Sequence, residues 1–171
     1  MSRPDLSRVP GHFHLYINQV DETELMDGMK KQSSSFPQFL ESIPAEKREY
    51  RYADGKWTVK EMLQHMVDAE RIFSYRALCF ARKDPTSLPS FDENAYADNS
   101  KADKRNWDDL LDEFKTVRRS TEIMFGSFDN EQLETSGMAN NNSVYVLAIG
   151  FIIVGHVNHH LKVIKERYLT P

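Results

Sequence analysis

TVKEMLQHMVDAERIFSYRALCFARK, residues 58–83, is the stretch that decides the fold. Its first four residues fit a helix-opening capping box. The Thr58 hydroxyl and the Glu61 carboxylate can each satisfy a backbone N–H that the first turn leaves unpaired. Beyond it, Met62, Met66, Ala69, Phe73, Ala77 and Phe80 recur at helical spacing and form one apolar stripe. The helix is expected to run to about Lys83, ahead of Asp84-Pro85.

Three more periodic segments lie on either side. Upstream, Leu25, Met29, Phe36, Leu40 and Ile43 predict a first helix from about Glu22 to Ser42, kinked at Pro37. The stretch His12–Val20 suits a short extra helix against it. Downstream, Trp107, Leu110, Leu111, Phe114, Val117, Met124, Phe125 and Phe128 mark a third helix that starts near Asn106. Ser143 is the expected N-cap of a fourth, Val144–Tyr168, apolar nearly all round in its first half and so the most buried. Residues 84–106 are polar and punctuated by Pro, with a short turn at Asp92–Ala97. No strand with a period of two is visible, nor any repeat.

Four such helices make a bundle. The connection between the second and third helices is about 22 residues and reaches roughly 70 Å when extended. A helix of this length spans about 40 Å. That connection can cross the bundle and set helices two and three parallel, while the shorter ones suit antiparallel neighbours. The expectation is an all-α, up-down-down-up four-helix bundle with a long crossover between helices two and three.

The chain has 171 residues, the length of a single domain spanning 1–171. Lys plus Arg is 22 against 26 Asp plus Glu, a net charge of −4, which argues against a nucleic-acid partner. The single cysteine, Cys79, excludes an intramolecular disulfide and a Cys-based zinc cluster. The N-terminal stretch lacks the apolar core of a secretory signal. The longest apolar run, Val144–Val157, is interrupted by Gly150, Gly155 and His156. It falls short of the ~20 residues of a membrane span. A cytoplasmic protein is expected.

Of six histidines, His12 and His14 fall in a segment expected to be mobile and receive no role. His156 and His160 are four apart on the fourth helix, so both imidazoles lie on one face, as a chelate requires. His65 lies on the stripe of the second helix, between Met62 and Met66. It is about eight residues from that helix's start, and His160 is about eight from the other's end. In an antiparallel pair those depths coincide. Three neutral imidazoles can then converge on one divalent metal and leave a position open. A core histidine bonded to backbone is the competing reading. His159 competes within the motif and is placed at the edge of the site, pointing away from its centre. Asp68 could orient His65 or act as a base, but is read first as a surface acid paired with Arg71. Cys79, Trp57 and Trp107 are read as core, and no catalytic residue is assigned.

GKWTVKEMLQHMVDAERIFSYRALCFARKD (55–84), FDENAY (91–96) and GHVNHHLKVIKERYL (155–169) together resemble the DinB/YfiT-like superfamily. The resemblance runs from about Tyr16 to Leu169. It implies the same bundle topology, a homodimer, and a divalent metal held by His65, His156 and His160. Zn or Ni suits that set best, with Fe or Mn as further options. It also implies a metal-dependent enzyme acting on a small molecule, either transferring a low-molecular-weight thiol of the bacillithiol type to an electrophile or hydrolysing its substrate with water activated by the metal. A non-catalytic stress-response bundle, stapled by the metal, is the alternative.

Overall fold

The computed structural model describes residues 3–169; the ends of the domain assigned to 1–171 lie outside that range. Its four long helices are α2 (Leu25–Glu41), α4 (Val59–Ala81), α6 (Trp107–Gly126) and α8 (Val146–Val163). The last continues through one π-helical turn, Ile164–Tyr168. Short helices α1 (His14–Ile17), α3 (Ala45–Arg48), α5 (Glu93–Ser100) and α7 (Asn130–Glu134) occupy the connections, with a hairpin of β1 (Ser136–Ala139) and β2 (Asn142–Tyr145) before α8.

Side-chain pairs fix the directions. Along α4 and α6, Gln64 meets Arg105 just ahead of α6, Glu70 meets Arg118, and Ser74 meets Thr121, so the two run parallel. Along α4 and α8, the Trp57 carbonyl meets Tyr168, His65 meets His156, and the two run antiparallel. Helices α2 and α6 are antiparallel, with Ser33 against Glu122 and Glu41 against Lys115. The result is the up-down-down-up bundle, with residues 82–106 carrying the crossover.

The Thr58 capping box forms: Thr58 Oγ1 accepts from Glu61 N at 3.1 Å, and Glu61 Oε2 accepts from Thr58 N at 2.7 Å. Helix α4 ends two residues earlier than expected. Lys83 turns left-handed (φ 58°), and the Asp84 N–H closes onto the Cys79 carbonyl at 3.0 Å. The turn expected at Asp92–Ala97 extends into α5, because the Asp92 carboxylate accepts from both Asn94 and Ala95 N–H.

The expectations for the start of the fourth helix and for the N-terminal segment need correction. Ser143 does not cap the fourth helix; it lies in β2, and the helix begins at Val146. Asn140 and Asn141 both take positive φ, 50° and 58°, the conformation a two-residue hairpin turn demands and Asn tolerates. Strands of four residues are too short to show a period of two. The N-terminal segment is also firmly held. His14 Nε2 contacts the Leu6 and Val9 carbonyls at 3.1 and 3.0 Å, and the Arg3 guanidinium donates to the Ile17 carbonyl at 2.9 Å.

Gly155 explains how that segment docks. A Cβ there would stand 2.0 Å from the Tyr16 carbonyl oxygen. Backbone cannot swing aside as a side chain can. Gly155→Ala is therefore expected to force α1 away from α8 and cost about 1–3 kcal/mol, the usual penalty for overpacking. Urea unfolding measures this, and an unchanged midpoint would show that the contact carries no stability.

The apolar core falls into two clusters. One gathers α1, the second half of α4 and the first half of α8; the other gathers the opposite halves with Trp107 and Phe114. Between them lies a polar layer that includes Gln32, Glu70, Arg118 and His156, all buried. The 23 residues Val146–Tyr168 are long and apolar enough to cross a membrane, so the interrupted run understated this helix. Its composition suits a core position: 72% of its most apolar window is buried inside the protein.

Candidate metal centre

His65 reaches the layer from α4, and His156 and His160 reach it from α8. His65 Nε2 and His160 Nε2 each lie 3.0 Å from His156 Nε2. The ring centres are 4.9, 5.0 and 4.5 Å apart. All three residues are buried, and one ligand atom from each falls within 4.8 Å of the others.

This arrangement is chemically awkward without a guest. His156 Nε2 offers either one proton or one lone pair, yet two other Nε2 atoms approach it at hydrogen-bond distance. His160 Nδ1 is buried with no hydrogen-bond partner. A tetrahedral ion with Zn–N bonds of about 2.0–2.1 Å would hold its nitrogens roughly 3.3 Å apart, near the spacing found. The donor set therefore fits a divalent cation.

Burial also keeps the rings in the form that a metal needs. Desolvation lowers the His65 pKa to about 4. It pushes His156 and His160 well below the ordinary value, and the neighbouring imidazoles add to the effect. All three are neutral at pH 7, with lone pairs available. The same shift has a stability consequence in metal-free protein. Unfolded His65 titrates near 6.5, folded His65 near 4. Between those values the unfolded chain binds the extra proton, so stability is lost as pH falls from about 6.5. From pH 7 to about pH 5 the loss from His65 alone is about 2 kcal/mol, and His156 and His160 act in the same direction. Urea unfolding of chelator-treated protein at the two pH values checks this. His65→Gln should remove about that much of the dependence; an unchanged dependence would refute the assignment.

His159 stands outside the cluster. Its Nδ1 lies 3.4 Å from Gln19 Nε2 and its ring 5.5 Å from that of Tyr16. Asp68 accepts from Gln64 Nε2 at 3.0 Å and makes only a long 3.9 Å approach to Arg71, which pairs instead with Glu113 at 2.6 Å. Cys79 and Trp107 are buried in the core.

Cavities open on both sides of the triad. One, of about 290 Å³, is lined by Tyr52, Trp57, Asn94, His159, His160 and Tyr168 among others. The second, of about 270 Å³, is lined by Phe13, Tyr16, His65, Phe73, Arg76, Glu93 and His156 among others. The first turn of α5 thus contributes one residue to each. Trp57, read as core, is half-buried, with its ring 4.7 Å from that of His65. Tyr16 lies 5.4 Å from the His156 ring and had no sequence signal. Phe73 and Arg76 did have one: they follow His65 on the same helical stripe.

A four-helix bundle with three histidines from two antiparallel helices, set between two cavities, is the class of protein that fold and site define. The family model of the DinB superfamily matches residues 8–164, and the chain belongs to that superfamily. Among solved structures, it is similar to YfiT from Bacillus subtilis, described as a probable metal-dependent hydrolase with an unusual four-helix bundle topology. The two are 16% identical, with a TM-score of 0.69 over 95% of this chain and 89% of that one, a likeness of fold. No curated protein matches the chain.

Proposed function

We propose that this chain is a metal-dependent enzyme acting on small molecules, in which His65, His156 and His160 hold a divalent cation. The observation that supports it most is the openness of the triad. Among the described residues no fourth His, Cys, Asp or Glu joins the group, and cavities flank it on two sides. A purely structural site is normally closed by a fourth protein ligand. Imidazole donors suit Zn or Ni, and admit Fe or Mn. When bound, such a cation supplies Lewis-acid chemistry that lowers the pKa of a thiol or of water near neutrality.

The residues around it do the rest. Trp57, Tyr52 and Tyr168 make an aromatic wall on the His160 side; Phe13, Tyr16 and Phe73 make another on the His65 side. Both offer surfaces that orient flat or apolar groups. Two cavities meeting at one centre suit a reaction of two organic substrates. This favours transfer of a low-molecular-weight thiol, of the bacillithiol type, to an electrophile. Hydrolysis is the second reading, supported by the likeness to YfiT. A cytoplasmic homodimer completes the proposal, and light scattering at micromolar concentration tests the dimer.

The deciding experiment is metal analysis of purified protein, then turnover assays with thiol plus electrophile and with ester or amide substrates. Activity that requires the metal is expected in one set. A stoichiometric metal with turnover in neither set, whose removal melts the fold, would replace the enzyme with a metal-stapled bundle.

A further inference from the structure

Arg76 lies three turns beyond His65 on the same face of α4. His65, Ala69, Phe73 and Arg76 follow at helical spacing, and all four line the second cavity. Arg76 is only 7% exposed. Its Nη2 donates to the Pro89 carbonyl at 2.8 Å, and its guanidinium carbon lies 5.6 Å from the Phe73 ring centre. Arg71 and Arg105 both pair with Glu113, and Arg118 pairs with Glu70. Among the described residues, no carboxylate forms an ion pair with Arg76. Burial lowers its pKa from the ordinary value, the direction a desolvated cation without a counter-charge takes.

A buried guanidinium with one carbonyl partner and an open cavity beside it is a receptor for a planar anion, because its fork matches a carboxylate. Phe13, Tyr16, Phe73 and Phe91 wall the same cavity, which suits an aromatic or similarly flat body. Glu93, an exposed residue, also lines it; its charge opposes any anion and opposes a dianion such as phosphate about twice as strongly, which favours a single carboxylate held at Arg76. Eleven residues of helix put the Cα atoms of His65 and Arg76 roughly 16 Å apart, and arginine side chains lean toward the helix N-terminus, shortening the gap. The anionic group would then be remote from the reacting end, where its binding energy serves positioning.

We propose that Arg76 is the specificity residue of this site and binds the carboxylate of a small monoanionic substrate with an aromatic or flat body. The proposal rests on reading the cavity as the substrate site of a metal-dependent enzyme. The test uses chelator-treated, metal-free protein, so that a metal cannot capture the carboxylate. NMR or calorimetric titration compares 3-phenylpropionate with its neutral amide. The acid is expected to bind saturably and at least about tenfold tighter than the amide, as loss of a charged hydrogen-bond partner implies. That preference should vanish in Arg76→Gln and survive in part in Arg76→Lys. Equal binding of acid and amide to the wild-type protein would overturn the proposal, and this comparison does not depend on any variant folding. So would no saturable binding of the acid, an undiminished preference in a folded Arg76→Gln, or equal competition by inorganic phosphate. Acid-selective binding without turnover on any substrate would sink the enzyme reading alone; turnover without preference for anionic substrates would sink this proposal alone.

Discussion

Replacing His156 with alanine is expected to remove nearly all metal affinity, by more than about 100-fold, since even changes in residues that merely support metal ligands cost 10–100-fold. His156 is the central member of the group: its Nε2 lies 3.0 Å from both His65 Nε2 and His160 Nε2, and those contacts share no other atom. Without it, two imidazoles on separate helices remain, and two ligands hold a divalent ion far less tightly than three. Any metal-dependent turnover should vanish with the metal. His159→Ala should do much less, since that ring contacts Gln19 and Tyr16 rather than the triad. Metal content after dialysis, together with competition by a chelator of known affinity, reads the effect. If His159→Ala strips the metal and His160→Ala does not, the register of the site on α8 is wrong.

The second large effect concerns stability. Arg118→Met should destabilise the fold by about 3–5 kcal/mol, the cost of leaving a buried charge without its partner. The Arg118 and Glu70 side chains are 1% and 2% exposed. Arg118 Nε and Nη2 donate to the two Glu70 oxygens at 2.8 and 2.7 Å, and Nη1 donates to Gln32 Oε1. Gln32 Nε2 passes the connection on to the Val154 carbonyl at 2.9 Å and to Asn158 Oδ1 at 2.7 Å. This network joins α2, α4, α6 and α8 in the layer that holds the histidines. The double variant Glu70→Leu/Arg118→Met should recover much of the loss, because it removes both charges together. Chemical denaturation of the two proteins tests this. A single variant that loses under about 1 kcal/mol would mean that water reaches Glu70 and the pair is not sealed.

The candidate site was partly legible because helices are rigid rulers. A spacing of four places His156 and His160 on one face, and equal depth from opposite ends carries His65 to the same level. The first inference needs only the rise and turn of the helix; the second also needs the two helices to pair antiparallel, which the connection lengths suggested. Trp57 and Tyr16 could not be found in that way. Trp57 lies just ahead of α4 and Tyr16 in the one-turn helix α1, and their approach to the triad depends on how those segments dock. Arg76 lay within reach of the helical argument: an arginine on a stripe otherwise apolar beyond His65 is a polar group that something must satisfy.

The helix-opening chemistry of Thr58 and Glu61, the apolar stripes and the unequal connections are local properties, and they sufficed for the class of fold and its topology. The hairpin at Ser136–Tyr145 and the left-handed end of α4 at Lys83 escaped because short strands carry too little periodicity and positive φ leaves no mark at lysine. The pairing of Glu70 with Arg118, 48 positions away, the seating of α1 on Gly155 and the two cavities beside the histidines are contacts between elements distant in the chain. Nothing local distinguishes a charged residue sealed in a layer from one on a solvated face, so packing in three dimensions alone decided them.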